Sequence, residues 1–218
     1  MKQEAFKHME LINSILNDDN DLNQYRKTLS EEFMDIMRVE TAGVSNKFNW
    51  FDYTSKDGLR PVMNGIFHDH GEKVATDSHI LVVMKEDYPE DYEGKILMKD
   101  GELKDQERVG RFPNWKCVMP ESTEGRTPVK IDFDRADKIF KDIRVKCRFD
   151  KLSVWKVKVG GVLYNWELLQ RMFKFMRYIG TDVMWNDEKS IRAGYVENGG
   201  NRAILMPMRS TEDHVMVL

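Results

Sequence analysis

Arg60-Pro-Val-Met-Asn-Gly65, followed after a short polar turn by Val74-Ala-Thr-Asp-Ser-His79, is the stretch on which the reading of this chain turns. Residues 60–67 and 73–75 read as paired strands that turn through His68, Asp69, His70 and Gly71, and the apolar run 80–84 continues them as a buried strand. Residues 87–94 (DYPEDYEG) make an acidic loop. Beyond it, 95–98 and 107–112 read as short strands around the turn Lys99-Asp100-Gly101. Upstream the texture is helical. Phe6, Met9, Ile12 and Leu16 recur at helical spacing over 3–17, and the Asp/Asn-rich stretch 18–23 then breaks the pattern. A second helix is expected over 30–42, with Ser30 as N-cap, Glu31 and Glu32 in the first turn, and Phe33, Ile36 and Met37 as its apolar stripe.

Downstream, Pro113, Pro120, Gly125 and Pro128 punctuate a polar connector over 113–128, which sets a lobe boundary. A strand at 129–133 follows, then a helix at 134–144 with Ala136, Ile139 and Phe140 inward, then strands at 152–158 and 161–164. The pattern recurs as a helix at 165–179 and strands at 183–185, 190–196 and 202–208, with Glu197-Asn198-Gly199-Gly200 joining the last two. Two rounds of strand, helix and strands predict an internal structural repeat. The chain therefore divides into a helical segment 1–28, a first lobe 29–120 and a second lobe 121–218.

Composition bounds the function. The chain has 218 residues, 41% of them apolar and 11% aromatic, enough for a real core in one domain or two lobes. Its longest apolar runs fall far short of the roughly 20 residues that span a bilayer. Residues 1–19 alternate charged and apolar side chains, unlike a signal peptide, so a soluble cytoplasmic protein is expected. Cys117 and Cys147 have no disulfide or metal-ligand spacing. The net charge of −3 hides an asymmetry, because 121–178 carry 14 basic and 8 acidic side chains. Such a segment can present a basic face to phosphates. His68-Asp69-His70 and Asp77-Ser78-His79 are the candidates for a metal or nucleophile site. Neighbours on a strand point to opposite faces, so Asp77, Ser78 and His79 cannot form a triad among themselves. Gly160-Gly161 is a lone turn pair. No catalytic centre, cofactor or metal is expected.

Three stretches in order resemble the bacterial DNA sliding clamp, the beta subunit of DNA polymerase III. The opening pair resembles the family's RPVLNG and VATDGHR signature. Gly110-Arg-Phe-Pro-Asn-Trp115, running on to Val118-Met-Pro120, is similar to its GRFPDY and VLP connector. Ile204-Leu-Met-Pro-Met-Arg209 is similar to its closing VVMPMR run. The likeness covers roughly 29–209 and corresponds to the second and third of three clamp lobes. It departs from the family in five ways. The family's first lobe is absent, 83–110 is too short for a half-lobe with its own helix, Ser78 stands where the family has glycine, Ile80 stands where it has arginine, and a short extension of nine residues follows Arg209. The chain's own first lobe is therefore either incomplete or completed by residues 1–28.

The resemblance implies an α+β fold of DNA-clamp-like lobes, each with antiparallel sheets outside and helices on one face. It implies a non-enzymatic, sequence-independent DNA-binding processivity or tethering factor, with double-stranded DNA as one partner and polymerase or repair-protein peptide motifs as another. A ring needs about six lobes, so a two-lobed chain would form a homo-oligomer of three. The alternative is a clamp-fold protein-interaction module that does not encircle DNA. Basic residues on inner helices would supply the phosphate contacts: Arg135, Lys138 and Lys141 on one helix, and Arg171, Lys174 and Arg177 on the next. The 30–42 helix, with Arg38 alone among four acids, would repel phosphate. The peptide-binding pocket implied is Thr76, Ser78, His79, Ile80, Leu81, Pro120, Ile204, Met206, Pro207, Met208 and Arg209, whose methionines suit a groove that takes several peptides.

Overall fold

Strand β1 (Ile66–Asp69) and strand β2 (Glu72–Thr76) pair antiparallel with Asp69 opposite Glu72, which leaves His70 and Gly71 as a two-residue turn. Both turn residues have positive φ, 52° and 76°, as a tight hairpin turn of matching twist requires. The strand begins later than the expected residue 60. Pro61–Asn64 instead make one turn of 3-10 helix with Pro61 at its first position. There its fixed φ is pre-set and its missing N–H costs nothing. Gly65 follows because nothing larger fits: a β-carbon would lie 2.5 Å from Ile96 Cγ2 and 2.7 Å from the Leu97 carbonyl oxygen.

The computed structural model describes residues 48–149, 154–187, 192–209 and 214–218. The helices expected over 3–17 and 30–42 lie outside them. Strand β3 (Ile80–Lys85) pairs with β2, β4 (Lys95–Leu97) with β1, and β5 (Leu103–Asp105) with β4. The strand expected over 107–112 does not form. With β4 only three residues long, its partner runs out at Asp105, and the chain coils into the short helix α1 (Gln106–Val109). The Gln106 side chain ties that corner down, donating to the Gly94 carbonyl and accepting from the Phe112 amide.

The second half follows the expected order: β6 (Thr127–Lys130), α2 (Phe133–Phe149), β7 (Lys156–Val159), β8 (Val162–Asn165), α3 (Trp166–Ile179), β9 (Val183–Asn186), β10 (Gly194–Asn198) and β11 (Asn201–Leu205). A last strand, β12 (Val215–Val217), runs parallel to β7 and was not anticipated, because a three-residue apolar run has no readable period. Helix α3 is specified at both ends. The Asn165 side chain accepts from the Glu167 and Leu168 amides, and Gly180 closes the helix in the left-handed conformation.

Nine strands form one sheet in the order β5-β4-β1-β2-β3-β11-β10-β9-β6, and β12-β7-β8 form a second. Strand alternation gives the large sheet two apolar faces. Ala75, Ile80, Val82, Met84, Ala203 and Leu205 face a core closed by α2, α3 and the small sheet. Val74, Leu81, Val83 and Ile204 face the other way, and Phe112 together with Trp115 and Met119 of the connector cover them. A buried polar bridge links the two sheets. Tyr164 donates to Asn186 Oδ1 at 2.7 Å, while Asn186 Nδ2 donates to the Val159 carbonyl at 2.8 Å.

Met172 is fully buried on α3, whereas Leu59 is 91% exposed. Met172→Ala should cost about 2–5 kcal/mol of stability in urea denaturation. Leu59→Ala should stay within about 0.5 kcal/mol.

Candidate functional site

The pairing of β3 with β11 sets Leu81 beside Ile204 on the connector side of the large sheet. The ladder runs one bond further, from the Met206 amide to the His79 carbonyl at 2.8 Å. The 3-10 turn Trp115–Cys117 stands opposite, and between the two lies a cavity of about 330 Å³. Its walls are mainly apolar: Met63, Ile80, Leu81, Trp115, Val118, Ile204 and Met206. At the mouth Met206 is 44% exposed and Val118 60% exposed, more than isolated apolar side chains in a closed core. The lining's one formal charge is on the exposed Arg60, and His79, also exposed, adds a polar ring.

The turn that shapes this cavity is closely specified. Asp77 Oδ1 accepts from the His79 and Ile80 amides, both at 2.9 Å, and the Thr76 hydroxyl donates to the Ile80 carbonyl at 2.8 Å. Between them Ser78 sits at φ 80°, on the left-handed side where glycine is at ease. Its hydroxyl accepts from Arg60 Nη1 at 3.3 Å and lies 3.7 Å from the Met63 sulfur.

Seven of the eleven residues implied for a peptide pocket line this cavity: Thr76, Ser78, His79, Ile80, Leu81, Ile204 and Met206. Pro120, Pro207, Met208 and Arg209 do not. Strand β11 ends at Leu205, and the chain then crosses to the small sheet, where the Met208 amide donates to the Leu163 carbonyl at 2.8 Å. Sequence reasoning missed Arg60, Met63, Pro113, Asn114, Trp115 and Val118. The signal was present, because all six fall inside or beside the motifs that carried the resemblance.

The basic side chains separate into two groups. Helices α2 and α3 pack side by side and turn their apolar faces into one core. On α2, Arg135, Lys138 and Lys141 are exposed, as is Arg144 one turn on. The Arg135 guanidinium donates to the Val217 carbonyl at 3.2 Å. On α3, each predicted cation already has an acid. Arg171 pairs with Asp77 at 2.8 Å, Lys174 with Asp52 at 2.7 Å and Arg177 with Asp137 at 2.6 Å. The stripe exists as read, but its charge is met within the fold.

His68, His70 and His79 do not assemble into one site. His68 is buried, edge-on to the rings of Tyr88 and Tyr92, with Nδ1 3.2 Å from the Lys95 carbonyl. Burial pushes its pKa below the ordinary histidine value, more than the Lys95 bond raises it. His70 sits on the turn, with Nδ1 2.5 Å from Asp69 Oδ1 and 3.7 Å from Glu93 Oε1. Asp69, His70 and Glu93 bring one ligand atom each within 4.8 Å of one another. Their other contacts already occupy the carboxylates: Trp115 Nε1 and Lys116 Nζ reach Asp69 Oδ2 at 3.0 and 2.9 Å, and the Tyr88 hydroxyl donates to Glu93 at 2.6 Å. Burial pushes the Asp69 carboxyl up, but its bonds to Lys116, His70 and Trp115 hold it below the usual range. His79 lies apart at the apolar cavity, 3.9 Å from Asp77. Among the described residues, no helix is long and apolar enough to cross a membrane.

No family model and no curated protein matches the sequence. Solved structures do. The chain is similar to the DNA polymerase III beta subunit of Thermotoga maritima with a TM-score of 0.50, at 16% identity, over 74% of this chain and 61% of that one. The fold is accordingly the α+β fold of sliding clamps. A DNA polymerase sliding clamp from Caulobacter crescentus (TM-score 0.49, 15% identity, 74% and 62% covered) is also similar. So is the beta subunit from Pseudomonas aeruginosa (TM-score 0.49, 15% identity, 72% and 61% covered). The chain spans roughly three-fifths of the length of these clamps.

Relieving the positive φ at Ser78 by Ser78→Gly should raise stability by about 0.5–1 kcal/mol in urea titrations, less whatever the Arg60 bond contributes. His68 gives a pH signature. Because its folded pKa is lowered, the folded state favours the neutral ring. Its contribution is whole above the unfolded value near 6.5 and is lost as pH falls below it. The stability advantage of the wild type over His68→Gln should therefore shrink between pH 7.5 and pH 5.5.

Proposed function

We propose that this chain is a sliding-clamp-like tethering factor that docks a partner peptide in the cavity at the β3–β11 seam and rests against duplex DNA through α2. The observation that carries the reading is the cavity: an apolar slot of about 330 Å³ with Met206 and Val118 exposed at its mouth. A pocket of this size fits one or two large apolar side chains of an extended peptide, and adaptable methionine suits more than one sequence. The exposed Arg60 favours a peptide with an acidic residue beside its apolar anchor. Such a protein acts by holding its partners together and needs no catalytic group.

For DNA the supporting feature is the exposed row Arg135, Lys138 and Lys141 on α2, extended by Arg144. Free lysine and arginine gain affinity by releasing counterions from the phosphate backbone. Arg171, Lys174 and Arg177, being paired with acids, would have to exchange partners first and so contribute less. In this reading residues 29–120 and 121–218 act as two clamp lobes, and three copies would make a ring. The neutralised α3 stripe favours a second reading, an interaction module that keeps the peptide slot and does not encircle DNA.

Fluorescence anisotropy with an acidic peptide carrying an adjacent Leu-Phe pair should give a Kd near the micromolar range, about −8 kcal/mol. Met206→Glu should weaken it at least tenfold; an unchanged Kd would remove the peptide reading. With a 20-base-pair duplex at low salt, Lys138→Glu with Lys141→Glu should reduce affinity and lower the slope of log K against log salt by about 2. Peptide binding without any duplex binding would select the second reading.

A further inference from the structure

A cleft larger than the apolar slot lies apart from both surfaces above. It has a volume of about 950 Å³ and is lined by the segment around the 3-10 turn Trp50–Asp52, by α3 and by Arg144 of α2. A second cavity of about 540 Å³ adjoins it and shares Phe51, Thr54, Ser55, Lys56 and Lys99. Volumes of this order are those of sites for small organic ligands, roughly 300–1,000 Å³.

Three kinds of group meet there. Lys56, Lys99 and Arg144 bring positive charge from three separate elements, and none is in an ion pair among the described residues. The cleft's other cations, Arg171, Lys174 and Arg177, are held by Asp77, Asp52 and Asp137, so these three carry its unpaired positive charge. Against it stand Glu167 in the cleft and Asp100 in the smaller cavity, acids likewise unpaired among the described residues. The half-buried ring of Phe51 lies on the wall shared by both cavities. In the smaller cavity stands Asn64, whose Nδ2 donates to the Asp57 carbonyl at 3.2 Å. Its Oδ1 is left buried without a donor. Buried acceptors are rarely left so, and a ligand N–H reached by a small rotation of the side chain would satisfy this one.

We propose that the joined cavities bind a nucleotide unit, with its base against Phe51 donating to Asn64 Oδ1 and its phosphates on Lys56 and Lys99. Phosphate charge, an aromatic face and a hydrogen-bonding edge are the three features a nucleotide offers together, and a groove combining cations with aromatic side chains is how unpaired strands are held. Arg144, which lines the larger cleft alone, would take a further phosphate. The unit can come from a free nucleotide or from an unpaired strand. The inference goes beyond the duplex reading and does not rest on it, since the paired bases of a duplex cannot present both face and edge.

The test uses the full chain, a labelled 12-nucleotide oligo(dA), an abasic strand of equal length, and ATP. Oligo(dA) should bind at least tenfold more tightly than the abasic strand. Asn64→Ala should bring that ratio towards one, and Lys56→Glu with Lys99→Glu should weaken both strands about tenfold or more. Displacement of the strand by millimolar ATP assigns the site to free nucleotides; displacement by unlabelled oligo(dA) alone assigns it to a strand. Equal binding of abasic and normal strands overturns the proposal, as does a ratio that Asn64→Ala leaves unchanged. Lys138→Glu with Lys141→Glu, which probes the duplex surface, should not alter the ratio, so either reading can fail alone.

Discussion

The antiparallel pairing of β3 with β11 is the contact on which the rest depends. It joins strands drawn from 66–105 to strands drawn from 127–205 and makes one sheet of nine. Were it absent, both halves would expose a sheet edge, and unpaired backbone groups at an edge invite pairing with other chains. Its register also decides which side chains face which core. With Leu81 opposite Ile204 and Val82 opposite Ala203, the connector side and the helix side each receive a continuous apolar surface. A slip of one residue would send every side chain of β11 to the wrong face.

The same seam builds the apolar slot. Once the ladder is formed, the chain leaves β11 at Leu205 while the Asp77–His79 turn leaves β2, and the gap between them is closed from outside by Trp115 and Val118. The slot is thus a consequence of where two strands stop. Trp115 is held in place by polar contacts at its edge, through Asp69, and by Lys116 and Arg202 near its ring. Asp77 links this slot to the helix side, because one of its oxygens orders the turn and the other holds Arg171 of α3.

Charge placement is the second lesson. On α3 the basic residues recur every three positions, and in a helix that spacing gives a stripe. The acids that meet the stripe come from Asp52, Asp77 and Asp137, up to 122 residues away along the chain. The Arg171–Asp77 pair is partly buried and is screened less by salt than the exposed pairs at Lys174 and Arg177. The α2 row meets no such acids among the described residues, and the two helices, alike in sequence texture, differ in what they offer to a phosphate.

Much of the fold could be read from the residues alone because it is written in short-range signals. Asn165 and Gly180 bracket α3, His70-Gly71 and Gly199-Gly200 mark hairpins, and apolar runs name the buried strands; each works through neighbours within a few positions. The motifs fixed the clamp-like order of elements and most of the slot's lining. Where local signals misled, a partner was missing or unseen: 107–112 had no strand left to pair with, and β12 needed β7 to exist. What only the tertiary structure decided is which charges are free, that Trp115 and Val118 wall the slot, and that Asn64 is left with an unanswered acceptor. These depend on residues distant in sequence arriving at the same place, and no local period encodes that.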